Sequence, residues 1–110
     1  MPLISNKPIQ LLIADDHEML REGFHTMLAK YPLVQLVGEA EDGKELVKLA
    51  TQLRPDVIIT DIKMPKMDGI EATRQILRLF PAMPIIAFTM FELVTSERRV
   101  CLTWTWTAIA

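Results

Sequence analysis

The chain has 110 residues, a formal net charge of −2 and an apolar content of 50%. That size suits one domain with a single core, and the charge gives no general pull toward nucleic acid. The single cysteine, Cys101, excludes an internal disulfide and is expected to be an inert small hydrophobe. No apolar run approaches the ~20 residues of a membrane span and no secretory leader is evident, so a reducing cytoplasm is the expected compartment.

In chain order, Ile9–Ala14 is an apolar run closed by Asp15 and Asp16. Leu20, Phe24, Met27 and Leu28 fall at i, i+4, i+7 and i+8, which predicts a helix stopping near Lys30, before Tyr31-Pro32. Val34–Val37 reads as a second strand and Asp42-Gly43 as a turn. Leu46, Val47, Leu49, Ala50 and Leu53 form a second helical face ended by Arg54-Pro55. Asp56–Thr60 reads as strand three and leads into Asp61. The loop Met64-Pro65-Lys66-Met67-Asp68-Gly69 places Asp68 to cap a helix running through Phe80, with Ile76, Leu77 and Phe80 toward the sheet. Pro81 and Pro84 bracket a turn into Ile85–Phe88, a fourth strand ending at Thr89. Strands alternating with helices predict right-handed βαβ units, an α/β doubly wound parallel sheet with helices on both faces.

Apolar runs that end in carboxylates read as buried parallel strands whose C-terminal ends meet, the edge where open α/β sheets place their chemistry. Asp15, Asp16 and Asp61 are therefore expected to share one pocket. Carboxylates so gathered repel, and a hard divalent cation with oxygen ligands neutralises them most simply; Mg²⁺ is the natural candidate. Asp15 and Asp16 capping the following helix is the plainer alternative. His17 has no second histidine or cysteine at ligand spacing, so a surface or loop role is expected. Met19, Met27, Met64 and Met67 read as core or loop packing, and Arg98-Arg99 as a solvated helix face.

From about Ile9 to Glu92 the chain resembles a response-regulator receiver domain, the flavodoxin-like switch of two-component signalling. The resemblance rests on Asp15-Asp16-His17 after strand one, on Asp61-Ile62-Lys63-Met64-Pro65-Lys66-Met67-Asp68-Gly69 after strand three, and on Thr89. The wording around Asp15 and Asp61 is most similar to regulators carrying a LuxR-type helix-turn-helix output, which is not found in these residues. The resemblance implies that Asp61 accepts a phosphoryl group from a sensor histidine kinase and that Thr89 offers its hydroxyl to a phosphoryl oxygen. It also implies Mg²⁺ held by Asp16 and Asp61, with Asp15 partly through water, and by the main-chain carbonyl of Lys63.

The tail departs from the family. With 21 residues after Thr89 there is room for about one short helix and one strand, so a fifth helix is expected to be missing. The last lysine is Lys66, so the family's phosphate-binding lysine has no counterpart. Leu102–Ile109 alternates strictly and holds both tryptophans, Trp104 and Trp106, which predicts a strand, atypical for the family's fifth. A replaced sequence after about Glu92 accounts for the change, with genuine divergence as the rival. The expected organisation is one receiver domain over 1–110, family-like over 8–92 with an atypical tail over 93–110, and no DNA-binding domain. An exposed strand of this kind predicts a homodimer through the tail. Two other functions stay open: a receiver-fold interaction module that no longer switches, and a Mg²⁺-dependent phosphohydrolase. The latter wants a second acid where Lys63 stands.

Overall fold

The computed structural model describes the backbone of residues 7–94 and 99–108, and side chains as far as Phe88. The elements are β1 (Ile9–Ala14), α1 (Glu18–Leu28), β2 (Val34–Ala40), α2 (Gly43–Leu53), β3 (Val57–Asp61), α3 (Gly69–Leu79), β4 (Ile85–Val94) and β5 (Arg99–Ala108). They form one sheet in the order β2-β1-β3-β4-β5, with β1 to β4 parallel. This is the flavodoxin-like order, and its direction reverses between β1 and β3. The C-terminal ends of those two strands flank the resulting crevice, and they carry Asp15 and Asp61.

Hydrophobic alternation decides the two layers. On one face Leu12, Ala14, Ala40, Ile58 and Ile85 pack with Leu46 and Ala50 of α2, Ala72 and Ile76 of α3, and Met83. Leu77, Phe80, Met64 and Met67 border this core as expected. Leu11 and Ile13, at the intervening positions of β1, are buried on the opposite face. There α1 contributes no buried residue. Met19 is 85% exposed and Met27 45%, so the expectation that these two methionines pack in a core or loop is corrected.

Capping fixes two helix starts. Asp42 accepts from the Glu45 amide at 2.8 Å and Asp68 from the Glu71 amide at 2.8 Å, so Asp42-Gly43 begins α2 where a turn was expected. Gly43 and Gly69 are needed for close approach: a Cβ on Gly43 would collide with the Met67 carbonyl, and one on Gly69 with the Asp61 carbonyl. The Gly43 amide donates to the Met67 carbonyl at 2.9 Å and the Gly69 amide to the Ile62 carbonyl at 2.7 Å. The β3–α3 loop is thus tied to both helices.

The C-terminal region differs from expectation. β4 does not end at Thr89 but runs to Val94, and β5 returns antiparallel along it, from Val94↔Arg99 to Ile85↔Ala108. The tail is strand-like as its alternation predicts, and it pairs with β4 of its own chain, so that among the described residues β5 is the edge strand of the sheet with its outer side unpaired. The last strand is antiparallel to the four parallel strands before it, which is the form that the atypical fifth strand takes. Arg99 stands in β5, not on a helix face; Arg98 and Ile109 lie outside the described residues. Among the described residues no helix is long and apolar enough to cross a membrane.

Candidate functional site

β1 delivers Asp15 and Asp16 to the crevice, and β3 delivers Asp61. Asp15 is 0% exposed and Asp61 3%, whereas the Asp16 side chain is 36% exposed. One ligand atom from each of Asp15, Asp16, His17 and Asp61 lies within 4.8 Å of all the others. The three acids therefore meet as their positions at strand ends predict.

Local hydrogen bonds hold this arrangement. The Asp15 amide donates to the Ala40 carbonyl at 3.0 Å, and the Ile62 amide to the Phe88 carbonyl at 2.8 Å. Asp15 Oδ1 accepts from the His17 amide at 2.7 Å, while Asp15 Oδ2 is buried with no hydrogen-bond partner among the described residues. Asp61 Oδ1 accepts from the Lys63 amide at 3.2 Å, which places the Lys63 main chain beside the nucleophile candidate. Thr60 Oγ1 donates to the Asp61 carbonyl at 2.9 Å.

Electrostatics report the same crowding. Burial is the main force raising the Asp61 pKa above its ordinary value; the Lys63 amide opposes this, and the charges of Asp15 and Asp16 add to it. The His17 pKa is raised, first by its hydrogen bond to Asp15 and further by the charges of the three acids, against some desolvation. A buried carboxylate oxygen without a partner, beside two further carboxylates, is the donor set that a hard divalent cation satisfies, so these residues fit Mg²⁺.

The reading of Asp15 and Asp16 as simple helix caps finds no support. The N-cap of α1 is His17, and it receives no side-chain capping bond. His17 is in the β1–α1 loop and exposed, as expected, and in addition its Nδ1 stands 2.8 Å from Asp15 Oδ1 and 3.1 Å from Asp16 Oδ1. The available signal was its position two residues after Asp15, within reach of a carboxylate at i−2. Thr89 continues β4 one residue beyond Phe88, the register partner of Asp61, so its backbone lies at the same sheet edge. Its hydroxyl lies outside the described side chains. Lys66 takes a left-handed conformation, φ 66°, and its Nζ stands 3.6 Å from Asp42 Oδ2 on the side of α2.

A family model described as the response regulator receiver domain matches residues 11–102. The transcriptional regulatory protein LiaR of Bacillus subtilis is 49% identical over 83 residues, covering 76% of this chain and 39% of LiaR. The chain thus spans about 39% of the length of that relative. A LuxR-family two-component response regulator from Aurantimonas superposes with TM-score 0.72 at 34% identity, covering 77% of this chain and 61% of that one. RcsB of Salmonella enterica serovar Typhimurium, solved on promoter rprA with phosphomimetic BeF₃⁻, superposes with TM-score 0.69 at 37% identity, over 76% of this chain and 49% of RcsB. A further RcsB structure holds two dimers on two parallel DNAs. Receiver domains bind Mg²⁺ at an acidic pocket and are signalling modules, not enzymes in the ordinary sense. With the family model matching most of its length, the chain belongs to the response-regulator receiver domains of two-component signalling.

Proposed function

We propose that this domain accepts a phosphoryl group on Asp61 from the phosphohistidine of a sensor kinase in the cytoplasm, normally to control a transcriptional output domain. One observation carries this reading: Asp61 is buried at the mouth of the crevice with Asp15 and Asp16 grouped around it. In the transfer, an Asp61 carboxylate oxygen forms a bond to phosphorus as the bond from phosphorus to the kinase imidazole breaks, giving an acyl phosphate. Asp61 must be ionised to attack, and burial together with two neighbouring acids works against that. Mg²⁺ would be held by Asp16, Asp61 and the Lys63 main-chain carbonyl, with Asp15 partly through water, and would supply the missing positive charge that favours the ionised Asp61 and offsets the charge of the incoming phosphoryl group. The Lys63 amide fixes the orientation of the Asp61 carboxylate. Thr89 is assigned the hydroxyl that reaches the arriving phosphoryl oxygen, on the strength of its place at the sheet edge beyond Phe88.

Incubation with acetyl phosphate and Mg²⁺, read by intact mass, tests the assignment. The parent is expected to gain one hydroxylamine-labile phosphoryl group, slowly because no lysine follows Lys66, and Asp61→Asn none. Equal labelling of Asp61→Asn refutes it.

A second reading is a receiver-fold module that pairs with another copy but no longer switches. The β4–β5 hairpin favours it, because that hairpin replaces the region from which the family's lysine would come. Both readings take the chain as one receiver domain over 1–110, atypical over 93–110, that itself binds no nucleic acid or membrane. RcsB supports dimerisation as the natural state. Light scattering of the parent and of a chain stopped after Cys101 separates the cases: pairing through the tail requires a dimeric parent and a monomeric truncated form.

A further inference from the structure

We propose that His17 is a nitrogen donor to the cation of the acidic pocket, giving this site a preference for borderline divalent ions such as Ni²⁺ over Mg²⁺. The proposal rests on the metal-binding reading above and adds a ligand to it. His17 Nδ1 lies 2.8 Å from Asp15 Oδ1, a hydrogen-bond contact whose proton a bound cation would displace to solvent, and it stands 3.1 Å from Asp16 Oδ1 and 3.9 Å from Asp61 Oδ2. With metal–ligand bonds of about 2.1 Å, adjacent donors of an octahedral ion stand about 3.0 Å apart and opposite donors about 4.2 Å. Two of the separations, 2.8 and 3.1 Å, fall within about 0.2 Å of the edge of such a shell, and the third, 3.9 Å, falls about 0.3 Å short of its diagonal.

The placement of the ring has a local cause. The His17 backbone is extended, φ −98° and ψ 107°, and its amide is held by Asp15 Oδ1 at 2.7 Å, which turns the imidazole back over the same carboxylate. The ring does not serve α1, since it makes no capping bond there. A separate observation points to a cation: Asp15 is wholly buried, and its Oδ2 has no partner among the described residues even with the imidazole in place. The His17 side chain is 61% exposed, which leaves solvent room to complete the coordination shell. Carboxylates and water alone suit Mg²⁺, whereas adding an imidazole shifts preference toward Ni²⁺ and Zn²⁺.

The test is calorimetry of the parent chain with Ni²⁺ alone and Mg²⁺ alone, repeated for His17→Ala, His25→Ala and Asp61→Asn, with proton NMR of the imidazole rings. The parent is expected to bind Ni²⁺ at least about ten-fold more tightly than Mg²⁺, with the His17 ring signals broadened first. His17→Ala should lose about ten-fold or more in Ni²⁺ affinity, and change Mg²⁺ affinity by less than about two-fold. Unchanged Ni²⁺ binding, equal loss of both ions, or tighter Mg²⁺ binding in His17→Ala overturns the proposal. So does loss of Ni²⁺ binding in His25→Ala, whose ring stands instead against Glu39 at 2.8 Å. Asp61→Asn keeps the two readings apart. If it binds Mg²⁺ as the parent does, the pocket itself is wrong; if it loses Mg²⁺ while His17→Ala keeps Ni²⁺, only the nitrogen donor is wrong.

Discussion

The two faces of the sheet are built to different standards. Beneath α2 and α3, Leu46, Ala50, Ala72 and Ile76 are all 0% exposed against Leu12, Ile58 and Ile85. Beneath α1 no helix residue is buried, and Met19 is 85% exposed. The same helical periodicity produced both faces, so periodicity tells which side of a helix is apolar and not whether anything covers it. The well-packed face is also the one that positions the site. α2 and α3 meet the β3–α3 loop through Gly43 and Gly69, and that loop fixes the carboxylate of Asp61. Asp15 and Asp16 follow the buried end of β1, and only His17 stands directly before the looser α1.

Core truncation should break this contrast if it is false. Leu46→Ala or Ile76→Ala removes a fully buried side chain and is expected to cost about 2–5 kcal/mol by denaturant unfolding, whereas Met19→Ala on α1 should stay within about 0.5 kcal/mol. Equal effects would mean that α1 is as tightly packed as its counterparts.

Next in size is the cap that starts α2. Asp42 has a pKa lowered chiefly by the Glu45 amide it accepts from, so its carboxylate is favoured in the folded state. Its stabilisation is present above the ordinary value of 3.8 and is lost as pH falls through the lower folded value. Asp42→Ala should cost about 0.5–2 kcal/mol at neutral pH, with the difference from the parent shrinking in strong acid. A pH-independent difference would remove the charge from the cap. Asp61 has the opposite sign: its raised pKa means that the folded state loses stability as pH rises from 3.8 through the folded value.

Much of this molecule was legible in its residues. Ile9–Ala14 followed by two acids, and Val57–Thr60 followed by one, are short apolar runs too continuous for half-exposed strands, so their burial and the meeting of Asp15 with Asp61 were readable. Asp68, at the end of the Met64–Gly69 loop, announced the helix that it caps. The course of the chain after Phe88 was not legible as a hairpin. Phe91, Leu93 and Val94 continue the strand composition of Ile85–Phe88, but whether a strand stops depends on a partner being available, and β5 is that partner. Lys66 in a left-handed conformation gave no sign: it is held by a tight turn in which the Met67 amide donates to the Pro65 carbonyl at 2.7 Å, and by the contact of its Nζ with Asp42. The contacts of His17 are not legible from histidine and cysteine spacing, because its partners are carboxylates one and two residues away.

The pocket itself is tested most directly by following backbone amide shifts while Mg²⁺ is added to the parent, Asp16→Asn and Asp61→Asn. Shifts centred on Asp15, Asp16 and Asp61–Lys63, weakened in both variants, are the predicted result. Shifts centred on the other acidic surface, Glu18, Glu22, Glu39 and Glu41, or binding undiminished in Asp61→Asn, would contradict the assignment.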